Sequence, residues 1–162
     1  MSAALSAEQR YSLRPFEAND LGLIRSSWRE SHNVNGSRHK MPWRAWKSTH
    51  GRDMDAILAL PGTRVLVATD AEAPMGADIA GWICWTPDKI PALHYLYVKH
   101  DYRGRKLASA LFAATGIGSR LIYTFRGPRH RRDDEGVDVK LALRGQHRGV
   151  FASFVDAREF LR

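Results

Sequence analysis

Leu93-His-Tyr-Leu-Tyr-Val-Lys-His-Asp-Tyr-Arg-Gly-Arg-Lys-Leu-Ala-Ser-Ala-Leu-Phe112 is the stretch that decides the fold of this chain. Its first part, with Ala92 before it, reads as a strand from Ala92 to Val98. Strict alternation places Ala92, His94, Leu96 and Val98 on one face and Leu93, Tyr95 and Tyr97 on the other. A short basic loop, His100-Asp-Tyr-Arg-Gly-Arg105, follows, and a helix is expected from about Lys106 to Ala114, stopped by Gly116 and Gly118. A strand that passes through such a loop straight into a helix collects backbone N–H groups at the helix N-terminus. Helped by the helix dipole, they can hold a phosphate or pyrophosphate. Arg103, Arg105 and Lys106 add charge there, although the same residues also suit an ordinary β-α turn with solvated basic side chains.

Outward from this motif, the β-branched run Arg64 to Thr69 and the segment Asp78 to Thr86 read as two strands of a hairpin with a long turn, ended by Pro87. Toward the N-terminus, Ser12 to Phe16 is a short strand candidate. Asn19 or Asp20 is then placed to cap a helix that carries Leu21, Ile24 and Trp28 at helical spacing. A second helix is expected from Pro42 to about Leu60, with Trp46, His50, Met54, Ile57 and Leu58 near one face. Beyond the motif, Ser119 to Phe125 reads as a strand. Val137 to Leu143 and Val150 to Leu161 each suit a strand or a helix.

The chain has 162 residues, 44% hydrophobic and 26% charged, which suits a single domain spanning 1–162 with its own core. The uncharged stretch Leu107 to Ser119 is too short, and too broken by glycine, to span a bilayer, so no membrane association is expected. MSAALSAEQR at the start lacks a basic n-region and an apolar core, and a cytoplasmic location is expected. The lone Cys84 has no partner for a disulfide or a metal site and reads as a small core residue; no metal is expected.

The net charge of +8 is unevenly spread. Residues 1–91 carry 11 basic and 10 acidic side chains, whereas residues 92–162 carry 14 and 7. An anionic partner for the second half is therefore expected. The basic loop of the motif accounts for part of it. Arg126-Gly-Pro-Arg-His-Arg-Arg132 suits a nucleic-acid backbone or a nucleotide phosphate, but Asp133-Asp-Glu135 follows at once and nearly cancels its charge, as in a solvated loop with internal ion pairs.

Val98, Tyr102, Arg103 and Ala108 fall on the positions of a motif that runs from a strand ending in Val, through an aromatic residue, into Arg/Gln-x-x-Gly-x-Gly/Ala. In this the chain resembles the GNAT family, the Gcn5-related N-acetyltransferases that bind acetyl-coenzyme A, and the similarity covers about residues 64–118. Lys106 stands where the family has its central glycine, so a Cβ and a long side chain replace a hydrogen. The resemblance implies an α/β (α+β) fold: a mixed, mostly antiparallel sheet with helices on both faces and a central strand-loop-helix pyrophosphate site. It implies acetyl-CoA as co-substrate, held by Leu96, Tyr97, Val98, Arg103, Gly104, Arg105, Lys106, Leu107 and Ala108. It also implies acetyl transfer to a primary amine by a monomer or homodimer.

Such transfer needs a base for the amine, a donor to the thioester carbonyl and an acid for the departing thiolate. His94 lies in phase with the family's usual catalytic Glu and suits the base, as an imidazole near pKa 6.5, or else a half-buried hydrogen-bonded histidine. His50, one turn after Trp46, is a second candidate, and Tyr123 is the candidate acid. Trp28, His32 and Trp46 are candidates for an acceptor wall, although such tryptophans equally suit a core. Two alternatives stay open: a nucleic-acid-modifying or nucleic-acid-binding protein on the same fold, similar to the Mom-type proteins of tailed phages, and a non-catalytic coenzyme-binding module.

Overall fold

A computed structural model describes residues 10–34, 43–74, 78–118, 120–124 and 148–151, with the side chains of 31–34, 43–47, 49–50 and 148–151 outside the description. Along the chain lie β1 (Tyr11–Pro15), α1 (Leu21–Val34), α2 (Trp43–Leu58), β2 (Arg64–Asp70), β3 (Ile79–Thr86), β4 (Ala92–Val98), α3 (Leu107–Ala114), β5 (Arg120–Tyr123) and β6 (Arg148–Phe151). β1 to β5 and the helices follow the order expected from the sequence to within two or three residues at each end, whereas β6 overlaps only the first two residues of Val150 to Leu161, which suits a strand or a helix by sequence. Asp20 departs from expectation. It closes a 3₁₀ turn ahead of α1, its carboxylate accepting the Glu17 N–H at 2.7 Å and the Arg14 guanidinium at 2.7 and 3.0 Å. Val137 to Leu143 and 152–161 lie outside the described residues.

The six strands stand side by side in chain order. β1 to β4 pair antiparallel, and β4–β5 and β5–β6 pair parallel. A parallel neighbour requires a crossover, and between β4 and β5 the basic loop and α3 supply it.

Apolar residues divide between the two faces of the sheet. Ile24 and Trp28 of α1 and Met54 and Ile57 of α2 pack on Val65, Val67, Trp82, Cys84 and Tyr95. On the opposite face Leu107, Leu111 and Phe112 of α3 pack on Ala68, Ala80, Ile83, Trp85, Leu93 and Leu121. Cys84 is fully buried, as expected of a core residue, and burial pushes its thiol pKa up. At Gly81 a Cβ would lie 2.6 Å from the Tyr97 carbonyl oxygen and 3.3 Å from Leu111 Cδ1, so only glycine lets β4 and α3 approach β3 there.

One feature of β4 overturns the simple alternation. Cys84 pairs with Tyr95 but Trp85 pairs with Leu93, so His94 is an extra residue, a β-bulge. Side chains beyond it change phase. Leu93, Leu96 and Val98 pack on the α3 face, and Tyr95 and Tyr97 pack on the α1–α2 face.

Candidate functional site

β4 is held on both sides at its start and on one side at its end. Ile122 N–H donates to Pro91 O at 2.9 Å and Thr124 N–H to Leu93 O at 3.2 Å, and the ladder to β5 stops at Leu93↔Tyr123. Leu96 to Val98 have no β5 partner among the described residues, while the pairing of β4 with β3 continues to Val98. This leaves a gap in the described β4–β5 ladder beside Leu96 and Val98.

Backbone directions follow from the bonds on the other edge. The Tyr97 carbonyl points at Gly81 of β3, and Lys99 N–H donates to Ala80 O at 2.9 Å. Because backbone groups alternate along a strand, Leu96 and Val98 turn their N–H and C=O into the gap. The Val98 carbonyl is capped there by Arg103 Nε at 3.1 Å. Leu96 N–H, Leu96 C=O and Val98 N–H remain to line it, a ladder edge ready for an extended polar chain.

The gap leads to the basic loop. A 3₁₀ turn, His100–Tyr102, turns the chain out of β4, with Arg103 N–H on His100 O at 3.1 Å. Gly104 has φ 77° and Lys106 has φ 60°, the one non-glycine residue with positive φ among the described residues. Lys106 is thus held in the left-handed region that usually belongs to glycine, and its exposed side chain points away from the core. α3 begins at the next residue, anchored by Leu107, which is 2% exposed. The N–H groups of Gly104 to Ala108 meet no acceptor among the described residues, as expected in the first turn of a helix. Arg103, Arg105 and Lys106 are exposed around them, and Ala108 is half-buried, leaving room over the turn.

A buried carboxylate missed by the sequence reading anchors the loop from beneath. Asp70, 1% exposed at the end of β2, accepts Arg10 Nη2 at 2.9 Å and Nε at 3.2 and 3.3 Å, and the Glu72 N–H at 3.1 Å. Tyr102 faces it as well, lowering the Asp70 pKa while its own is raised, chiefly by burial and then by Asp70. Arg10 holds the Asp70 pKa below the usual carboxylate range, so its charge is present and paired. Above it, Tyr102 meets Tyr11 edge-on at 6.0 Å, and the Arg105 guanidinium lies 5.7 Å from the Tyr102 ring centroid. Arg10 and Asp70 are sixty positions apart. No local sequence pattern links them.

The candidate catalytic and acceptor residues are less gathered. His94 is 1% exposed: its Nε2 lies 2.9 Å from Thr86 Oγ1 and its Nδ1 3.4 Å from Thr124 Oγ1. Burial lowers its pKa to about 4, so the ring is neutral. It is hydrogen-bonded as in the second of the two sequence readings, and more deeply buried than the half-buried setting expected there. Trp28, expected on an acceptor wall, is fully buried, with its ring 5.3 Å from Tyr95 and 5.5 Å from Trp82. Aromatic spacing alone does not separate core from wall, and here packing between α1 and the sheet takes the ring. Tyr123 is half-buried against the α3-side cluster, across the sheet from α1 and α2. His32 lies on α1, and Trp46 and His50 lie on α2, but their side chains are outside the description, as is the whole of Arg126 to Arg132. Tyr97 has its phenol pKa raised mainly by burial; the Arg103 charge lowers it and the Glu30 charge of α1 raises it further.

No family model matches the sequence, and no curated protein matches it. Solved structures do. A Pyrococcus furiosus protein assigned as an acetyl transferase superposes with a TM-score of 0.55 at 17% identity, over 80% of this chain and 94% of that one. The GNAT family N-acetyltransferase YhbS of Escherichia coli, in complex with CoA, gives 0.45 at 24% identity, over 71% of this chain and 57% of its own. The PaiA N-acetyltransferase of Thermoplasma acidophilum, in complex with coenzyme A, gives 0.43 at 16%, over 65% and 69%. Identities this low speak for architecture. This chain shares the fold of the Pyrococcus furiosus protein, the GNAT-like mixed sheet with a strand-loop-helix crossover between β4 and β5 that the sequence led us to expect.

Proposed function

We propose that the protein transfers an acetyl group from acetyl-CoA to a primary amine. The observation that carries this reading is the continuity of the gap beside Leu96 and Val98 with the free N–H groups and cations of the loop from Arg103 to Ala108. An extended amide-containing arm that ends in a pyrophosphate matches both parts: the arm adds to the β4 edge and the phosphates meet the helix N-terminus. Lys99, Arg103, Arg105 and Lys106 suit a ligand with three phosphates.

Acetyl-CoA supplies an activated thioester when bound. The Leu96 or Val98 N–H then donates to the carbonyl oxygen where negative charge develops as the amine attacks. Arg103, by capping Val98 O, fixes this part of the strand. The amine enters from the side of α1 and α2, where His50 stands on α2 one turn before the buried Met54, and its deprotonation belongs to that side of the sheet rather than to His94. Tyr97, packed on the α1–α2 side of β4, is the candidate to contact the acceptor there.

Isothermal titration with acetyl-CoA tests the first half of this reading, and thiol release over a panel of primary amines tests the second. Saturable binding with turnover of at least one amine is expected. Absence of heat and of thermal stabilisation at millimolar acetyl-CoA overturns it.

A further inference from the structure

We infer that His94 is a positioning residue: its imidazole clamps the β4 bulge at the point where the described β4–β5 ladder ends, and so sets which backbone groups face the gap. This rests on the coenzyme reading above only for its consequence in binding. The clamp itself is a property of the unliganded chain.

Its bonds form a directed series. Thr63 Oγ1 donates to Ile57 O near the C-terminus of α2 at 3.0 Å, which uses its one proton. Thr63 Oγ1 therefore accepts from the Thr86 hydroxyl at 2.8 Å, and Thr86 Oγ1 accepts in turn from His94 Nε2 at 2.9 Å. The ring is thereby assigned the Nε2–H tautomer, and its Nδ1 is left as an acceptor facing the Thr124 hydroxyl at 3.4 Å, which also lies 3.4 Å from the His94 carbonyl oxygen. One imidazole thus joins β3 through Thr86, the end of α2 through Thr63, and the residue after β5 through Thr124.

The location gives these bonds their effect. The last β4–β5 bond is Thr124 N–H to Leu93 O, and the extra residue in the β4 ladder is the next one, His94. Without the extra residue the alternation continues from Leu93 to Tyr95 and Tyr97, and those residues turn their backbones toward β5. With it, Leu96 and Val98 do so, and the tyrosine rings go to the α1–α2 face. A bulge leaves a residue outside the ladder, and it persists where side-chain bonds hold that residue in place. A neutral imidazole bonded through Nε2 to Thr86, with the single Thr124 hydroxyl proton facing both Nδ1 and the His94 carbonyl oxygen at 3.4 Å, meets that need at 1% exposure.

The test uses Thr124→Val and Thr86→Val, which keep shape and remove the hydroxyl, with Thr124→Ser and Thr86→Ser as rescues. Binding is measured for acetyl-CoA and for adenosine 3′-phosphate 5′-diphosphate, which has the nucleotide and phosphates but no arm to lie along β4. The clamp predicts roughly tenfold weaker acetyl-CoA binding in the valine variants, in line with a lost hydrogen bond and a shifted ladder, with the nucleotide unchanged within twofold. Serine restores the arm. Equal weakening of both ligands, or none, overturns the proposal. Nitrogen NMR of the unliganded protein judges the clamp independently. A neutral Nε2–H ring at pH 6 is expected, and a ring that is half-protonated there overturns it. Wild type that binds neither ligand while showing the predicted ring state contradicts the coenzyme reading and leaves the clamp standing.

Discussion

The two ends of β4 are built from similar residues and do opposite things. At its start, Ala92 and Leu93 are bonded to β3 on one side and β5 on the other, and everything from Ala92 to Tyr95 is buried. At its end, Leu96 to Val98 are half-buried and, among the described residues, pair with β3 and with no other strand. Leucine, tyrosine and valine are strand formers in either setting. The difference comes from the neighbour: the described β5 ladder ends at Tyr123, and one extra residue, His94, changes the phase of what remains. A binding edge is obtained by withholding a partner strand from an otherwise ordinary strand, and the sealed end holds the open end in place.

Trp28→Ala is the strongest way to break that comparison, since the ring is part of what seals the α1–α2 face. A loss of about 4 kcal/mol of stability is expected, as for other large buried aromatics. Chemical denaturation measures it. A variant of normal stability with altered acceptor preference would return Trp28 to the wall of the cleft.

Next in size is the effect of pH on the sealed end. The unfolded chain binds a proton at His94 below its ordinary 6.5, and the folded chain does so only near 4. Between those values the unfolded state holds more protons, so stability falls as pH falls from 6.5 to 4, by roughly 3 kcal/mol at most. Below that window Asp70 and Asp20, whose pKa values are lowered by Arg10 and Arg14, add a further loss as they take up protons. Urea denaturation across pH 4 to 7 checks this, and in His94→Gln the upper window is absent.

The smallest effect concerns the open end. Lys106→Gly removes a left-handed lysine at φ 60° and is expected to stabilise the fold by up to about 1 kcal/mol. Equilibrium denaturation that shows no gain would mean that the loop imposes no strain at that position.

The sequence made much of this visible. The order of strands and helices, the basic loop and the helix after it follow from apolar spacing, glycine positions and charge, all of them local. The mixed sheet with helices on both faces is as expected. What escaped is non-local. The bulge at His94 exists only in the pairing with β3, and strict alternation therefore assigned Leu93 to the tyrosine face and His94 to the leucine face. Asp70 reads as the end of a strand until Arg10 and Tyr102 are folded onto it. Trp28 has the same helical spacing whether its ring meets a substrate or Tyr95. Lys106 in place of glycine reads as a departure in sequence, yet the backbone takes the glycine conformation there.

Amide hydrogen exchange at Leu96 and Val98, with and without acetyl-CoA, tests the central claim most directly. Both amides face a gap with no β5 partner among the described residues, and the account predicts that saturating acetyl-CoA protects them together with Gly104 to Ala108, while Leu93, already in the ladder, changes little. Saturable binding that leaves Leu96 and Val98 exchanging as before would contradict it.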